Sequence, residues 1–126
     1  MIDVFDLIIL GGGPAGYNAA ERAGAAGMRV VLFEKRALGG VCLNEGCIPS
    51  KALLNSAKIY NHARGGAVFG VTAEGLKLDH ATVVTRKDKV VRMLISGVKA
   101  KMKSAKVTVV SEAGTILGRT DEMFRV

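Results

Sequence analysis

The run GGVCLNEGCIPSK, from Gly39 to Lys51, holds two cysteines five positions apart, Cys42 and Cys47, and the chain has no others. Each is therefore the other's only intrachain partner. The chemistry open to them is thiol–disulfide exchange, metal ligation, or none. Zinc takes about four ligands, and the only histidines, His62 and His80, stand alone without ligand spacing, so no metal site is expected. Two unrelated buried thiols are the plain alternative. In an unbroken helix, residues five apart have alpha carbons roughly 8 to 9 Å from each other, whereas a disulfide needs roughly 4.4 to 6.8 Å. A bridge here requires a distorted helix or turn, which Gly46 and Pro49 permit or impose. Closing so short a loop, it should be tight and easily reduced.

The elements that must position the pair lie just upstream. Val4 to Leu10 is a largely apolar run suited to a buried parallel strand. Gly11-Gly12-Gly13-Pro14-Ala15-Gly16 then fits GxGxxG through Gly11, Gly13 and Gly16, and Tyr17 to Ala23 continues as a small-residue helix closed by Gly27. A second strand runs from Arg29 to Phe33, with Glu34 at its carboxyl end. Gly11 suits a tight turn, Gly13 a backbone that approaches a pyrophosphate, and Gly16 close helix–strand packing. The helix N-terminus stabilises phosphate charge, and Glu34 can accept hydrogen bonds from ribose hydroxyls while repelling a 2'-phosphate. FAD or NAD fits this pattern and NADP does not. Cysteines so soon after Glu34 favour FAD, which can take electrons from a dithiol and hand them to a nicotinamide.

Composition limits the remaining readings. At 126 residues the chain holds one core. Its apolar start is too short for a membrane span and lacks a basic flank, so a cytoplasmic protein without membrane contact is expected. In that reducing setting a lone cysteine pair is seldom a structural staple. The formal charge of +7 sits mostly between Arg86 and Lys106, where Val91, Leu94, Ile95, Val98 and Met102 recur at helical spacing. Lys89, Arg92, Lys99 and Lys103 line another face. No aromatic residue interleaves with these charges, so a solvated helix face is expected and nucleic-acid binding is not.

Further elements are expected as follows. Ala52 to Arg64 reads as a helix with Leu53, Ala57 and Tyr60 inward, and Val68 to Val71 as a connector or edge strand. Asp79 caps a long helix from about His80 to Lys103. Lys106 to Val110 is a third strand, and Thr115–Leu117 with Met123–Val126 forms a hairpin turning near Asp121.

Gly11 to Gly16, Glu34 and the Cys-x-x-x-x-Cys motif together resemble the amino-terminal part of the pyridine nucleotide-disulfide oxidoreductases. The resemblance covers essentially the whole chain and weakens after about Val71. Cys47-Ile-Pro-Ser-Lys51 is similar to the lipoamide-oxidising branch, with a disulfide reductase such as mercuric reductase, or a non-catalytic nucleotide-binding module, as alternatives. The resemblance implies an α/β, Rossmann-like FAD-binding domain with a parallel sheet, truncated inside its antiparallel hairpin. It implies that Cys42 meets the substrate sulfur, Cys47 faces the flavin, and Lys51 lies beside it. Cofactor contacts are implied for Gly11, Gly13, Pro14, Ala15, Gly16, Glu34, Lys35, Gly40, Val41, Cys42 and Gly114. Val41 stands where threonine is usual, Glu45 where many relatives are apolar, and Glu112 where a glycine is usual. Residues 1–126 are expected to be the amino-terminal part of an FAD-binding domain. The NAD-binding and dimerisation domains are expected to be absent, along with the family's catalytic base, so this segment alone should be inactive. Implied partners are a lipoyl-bearing protein of a 2-oxo acid dehydrogenase or glycine cleavage complex and, in the parent protein, NAD and a second subunit.

Overall fold

Strand β1 (Leu7–Leu10) and strand β2 (Val30–Phe33) pair in parallel, joined by helix α1 (Pro14–Ala25). The computed structural model describes residues 3–120 and 122–126. After β2 the chain leaves the sheet for helix α2 (Gly40–Asn44), helix α3 (Cys47–Arg64), a 3-10 turn (Gly66–Phe69) and helix α4 (His80–Ser104). It returns as β3 (Thr108–Val110) on the free edge of β2, giving a parallel sheet of order β1-β2-β3. A separate antiparallel ribbon follows, β4 (Gly118–Thr120) with β5 (Met123–Arg125). Parallel pairing, helical crossovers and the small antiparallel ribbon match the expected α/β, Rossmann-like arrangement.

The strands are short apolar runs because both faces of a parallel sheet are covered or partly covered. Register places Ile9, Leu32 and Val109 side by side on one face. There Val30, Leu32 and Val107 join Ala20 of α1, Val98 and Met102 of α4, and Ala105 just past its end, in the core. Leu38 and Leu43, which flank the start of the cysteine loop, are buried in the same cluster. Each such leucine contributes roughly 1.5 to 3 kcal/mol by burial, so the loop is anchored by its apolar residues. Asp79 caps α4 as expected, its side chain accepting from the Thr82 N–H at 3.1 Å.

Several boundaries differ from the sequence reading. Strand β1 begins at Leu7 and not Val4, β2 at Val30 and not Arg29, and β3 at Thr108 and not Lys106. Lys106 instead adopts a left-handed φ of 56° in the turn that ends α4. Helix α3 starts at Cys47, five residues before the expected Ala52. Pro49 does not delay it, because it occupies the first turn, where a helix leaves N–H groups unpaired anyway. The inward face of α3 is built on Pro49 and Ala52, while Leu53 and Ala57 are exposed and Tyr60 is half-buried. The Val68–Val71 stretch is no edge strand: Val68 and Phe69 lie in the 3-10 turn and are exposed. On α4, Leu94 is exposed whereas Val98 and Met102 are buried. The first ribbon strand is Gly118–Thr120 and not Thr115–Leu117. The expected turn residue, Asp121, lies outside the described residues.

Candidate functional site

The glycine loop closes on itself and on the cysteine loop. Gly11 has a φ of 104°, the left-handed region that suits glycine, and its N–H donates to the Phe33 carbonyl at 2.8 Å. A side chain at Gly16 would strike the Gly11 carbonyl oxygen and Ile9, so only glycine lets α1 start this close to β1. Gly13 is the N-cap of α1 and Pro14 follows it, with no side chain capping the helix. Unclaimed N–H groups at a helix start favour an anion. Leu10, Gly11, Gly13, Pro14, Ala15 and Gly16 line a cleft of about 480 Å³.

Glu34 leaves the end of β2 and turns back over this loop. One carboxylate oxygen accepts from the Gly12 N–H at 2.7 Å and the other from the Arg36 N–H at 2.7 Å. The Arg36 N–H holds the Glu34 carboxyl below the usual carboxylate range. Partial burial opposes this, and the Gly12 and Ala37 N–H groups reinforce it. An ionised carboxylate offers about four lone-pair sites, so two bonds leave acceptor capacity for a ribose. Beside Glu34 a second cleft, of about 520 Å³, is floored by Leu38, Ile95, Met102, Val107 and Val109. Gly114 packs where a side chain would collide with Leu10 and Phe33, at the carboxyl edge of the sheet. Glycine loop, Glu34 and Gly114 therefore converge on the edge where open parallel sheets bind ligands.

The cysteine loop is fastened to the same place. The Gly39 N–H donates to the Gly12 carbonyl at 2.8 Å. Gly40, with φ 58°, lies so close to Gly13 that an added Cβ would sit 2.8 Å from the Gly13 alpha carbon. The Asn44 amide donates to the carbonyls of Leu38 at 3.1 Å and Gly40 at 2.8 Å. Helix α2 then ends at Asn44, and Glu45 and Gly46 break the path before α3 starts at Cys47. That break brings the alpha carbons of Cys42 and Cys47 to 4.7 Å, and the two form a disulfide. The expected distortion is thus a junction between two helices centred on Gly46, without a kink at Pro49. Cys42 is half-buried and Cys47 exposed.

Three expected site residues carry exposed side chains. Lys35 is exposed, Val41 is 62% exposed, and Lys51 is exposed one helical turn past Cys47. Neither lysine makes a side-chain hydrogen bond or ion pair among the described residues. Conversely, three residues that the sequence did not single out hold the site together. Asn44 braces the front of the cysteine loop through Leu38 and Gly40, Gly39 ties that loop to Gly12, and Arg36 pairs its guanidinium with Glu45 inside the cysteine loop. A polar Asn beside Leu43 in a short run flanked by glycines is the one local signal for Asn44. Nothing local marks Arg36. Among the described residues no group of three or more potential metal ligands occurs, and no helix is long and apolar enough to cross a membrane.

The fold and paired loops define the class, and comparison with known proteins agrees. Residues 5–123 match the family model described as pyridine nucleotide-disulphide oxidoreductase, and the chain belongs to that family. It is 43% identical over 121 residues to a dihydrolipoyl dehydrogenase of Chlamydia trachomatis, covering 96% of this chain and 26% of that protein. It is 48% identical over 118 residues to the dihydrolipoyl dehydrogenase of Bacillus subtilis, covering 94% and 25%. Among solved structures, LpdA from Mycobacterium tuberculosis superposes with a TM-score of 0.81 at 25% identity, covering 93% of this chain and 25% of that one. The chain thus spans about a quarter of the length of these relatives.

Proposed function

We propose that this chain is the FAD-binding, disulfide-bearing part of a dihydrolipoyl dehydrogenase, and that the parent protein oxidises protein-bound dihydrolipoyl groups with NAD. The observation that carries the reading is the Cys42–Cys47 disulfide at the first turn of α3, in a loop whose Gly40 touches Gly13 of the glycine loop. The residues fit FAD: the start of α1 for the pyrophosphate, Glu34 for the adenosine ribose, Gly40, Val41 and Cys42 as further contacts, and Cys47 and Lys51 for the ring. When bound, FAD would supply two-electron transfer between a dithiol and a nicotinamide.

The exchange step follows from the loop's own atoms. One substrate thiolate attacks the Cys42 sulfur, forming a mixed disulfide and breaking the Cys42–Cys47 bond. The displaced thiolate of Cys47 is left at the start of an 18-residue helix, where N–H groups and the helix dipole stabilise negative charge. The substrate's second thiol, deprotonated, then attacks its own sulfur in the mixed disulfide and releases Cys42. The substrate ends as a disulfide and the pair as a dithiol. Exposure alone would nominate Cys47 for attack. The leaving-group argument and the order of the family motif favour Cys42.

The partners that go with this reading are a lipoyl-bearing protein of a 2-oxo acid dehydrogenase or glycine cleavage complex and a second copy of the parent, in the cytoplasm. NAD-binding and dimerisation domains belong to the parent and not to residues 1–126. Flavin fluorescence tests the cofactor reading: FAD titrated into the chain should be quenched saturably, and an unchanged signal overturns it. Residues 1–126 saturated with FAD should form no NADH from dihydrolipoamide. Turnover near an ordinary enzyme's value of about 10 per second, lost in Cys42→Ser, would show that no further domain is needed.

A further inference from the structure

A run of polar contacts leads from the glycine loop to the cysteine loop. The Gly12 N–H donates to Glu34, the Arg36 N–H donates to the other oxygen of Glu34, and the Arg36 guanidinium pairs with Glu45. Glu45 terminates α2 between the two cysteines, its N–H donating to the Val41 carbonyl at 2.9 Å. The other fastenings, Asn44 to Leu38 and Gly40 and Gly39 to Gly12, hold the front of the loop. Among the described residues the Arg36–Glu45 pair joins the stretch that the disulfide closes to the residues that hold Glu34, while the Asn44 amide bonds from that stretch to its own front at Leu38 and Gly40.

We propose that Arg36 and Glu45 are positioning residues that link occupancy of the nucleotide site to the dithiol–disulfide equilibrium of Cys42 and Cys47. With the bridge closed, Glu45 is held where it can engage Arg36, and the Glu34 carboxylate keeps its spare acceptor sites. Reduction by a dithiol breaks the S–S bond, with two electrons and two protons coming from the reductant, which closes its own disulfide. The segment from Cys42 to Cys47 then gains freedom, and Glu45 leaves Arg36 for a larger share of the time. The freed guanidinium has the Glu34 carboxylate two residues away on the same turn and competes for the acceptor sites a ribose needs. Nucleotide therefore prefers the oxidised form, and by reciprocity nucleotide shifts the equilibrium toward the disulfide. This inference rests on the assignment of Glu34 to the ribose.

ADP is the probe, because it carries the adenosine ribose and pyrophosphate without a redox-active ring. The chain is equilibrated in a fixed ratio of reduced to oxidised dithiothreitol, acid-quenched, alkylated and weighed by mass spectrometry. Saturating ADP should raise the disulfide-to-dithiol ratio about threefold, within what an exposed ion pair supplies. Arg36→Ala and Glu45→Gln should each abolish the shift, and Arg36→Lys should keep most of it. Circular dichroism confirms folding; if Arg36→Ala is unfolded, the exposed Glu45→Gln decides. ADP bound by calorimetry with an unchanged ratio, or a shift that persists in both variants, overturns the linkage alone. Absence of ADP binding overturns the linkage and the ribose assignment together.

Discussion

The amino-terminal β1–α1–β2 unit and the carboxyl-terminal ribbon are both built from short strands, yet they are held by different forces. In the first, Leu32 is 0% and Val30 1% exposed, enclosed by α1, α4 and neighbouring strands. In the second, Met123 is 61% and Phe124 63% exposed, and pairing is between β4 and β5 alone. A strand buried on its faces has its register set by which residues must be inside, whereas a two-stranded ribbon has little to choose between registers. The difference explains why sequence reading found the order and type of the first unit and misplaced the ribbon's first strand by three residues. Thr115–Leu117 reads as the first strand of a hairpin, but no core selects it, and Gly118 is the residue that pairs with Arg125.

Substitutions can sharpen this contrast. The largest effect is expected at Leu32, where Leu32→Ala should cost about 2 to 5 kcal/mol by lost burial and cavity formation; urea unfolding measures it, and a value under about 1 would place the core elsewhere. Gly16→Ala comes next, at about 1 to 3 kcal/mol of overpacking, because the new methyl meets the backbone oxygen of Gly11. Its signature is loss of nucleotide affinity together with stability.

Glu34→Gln should weaken FAD binding by roughly 1 to 3 kcal/mol, the scale of a charge-assisted hydrogen bond, read by flavin titration. The same change tests a pH dependence. The Glu34 carboxyl lies below its unfolded value of 4.5 in the folded chain, so it stabilises the fold above that value and ceases to do so as pH falls through the lowered one. The stability gap between wild type and Glu34→Gln should accordingly be widest near neutrality and close on acidification. Smallest of all, Phe124→Ala should alter stability by no more than about 0.5 kcal/mol, as for an exposed site. A larger loss would mean that the ribbon is packed as firmly as the sheet.

Legibility in the sequence tracked how local each cause is. Gly11, Gly16 and Glu34 act through turn geometry and strand ends, and their places followed from spacing. Cys42 and Cys47 were readable as a pair because no other partner exists; of the two residues expected to distort the path, Gly46 lies at the helix junction with Glu45, and Pro49 lies inside the first turn of α3. The start of α3 was missed because proline was taken as a breaker, although it is tolerated in the first turn. The inward face of α3 was missed for another reason: its large residues Leu53 and Leu54 are exposed, while small Ala52 is buried against the rest. Asn44 and Arg36 matter through side-chain bonds across irregular loop turns, which periodicity does not encode.

The placement of β3 has a consequence for how the chain acquires its shape during synthesis. One edge of β2 can pair with β1 as soon as Phe33 has been made, but the partner for its other edge begins only at Thr108. At roughly 5 to 20 residues per second, that edge waits on the order of 4 to 15 s. Both cysteines are made inside this interval, before the sheet that anchors their loop is complete. A ribosome-bound nascent chain therefore presents an open strand edge and two accessible thiols together, and whatever shields one in the cell must act while the other can still react.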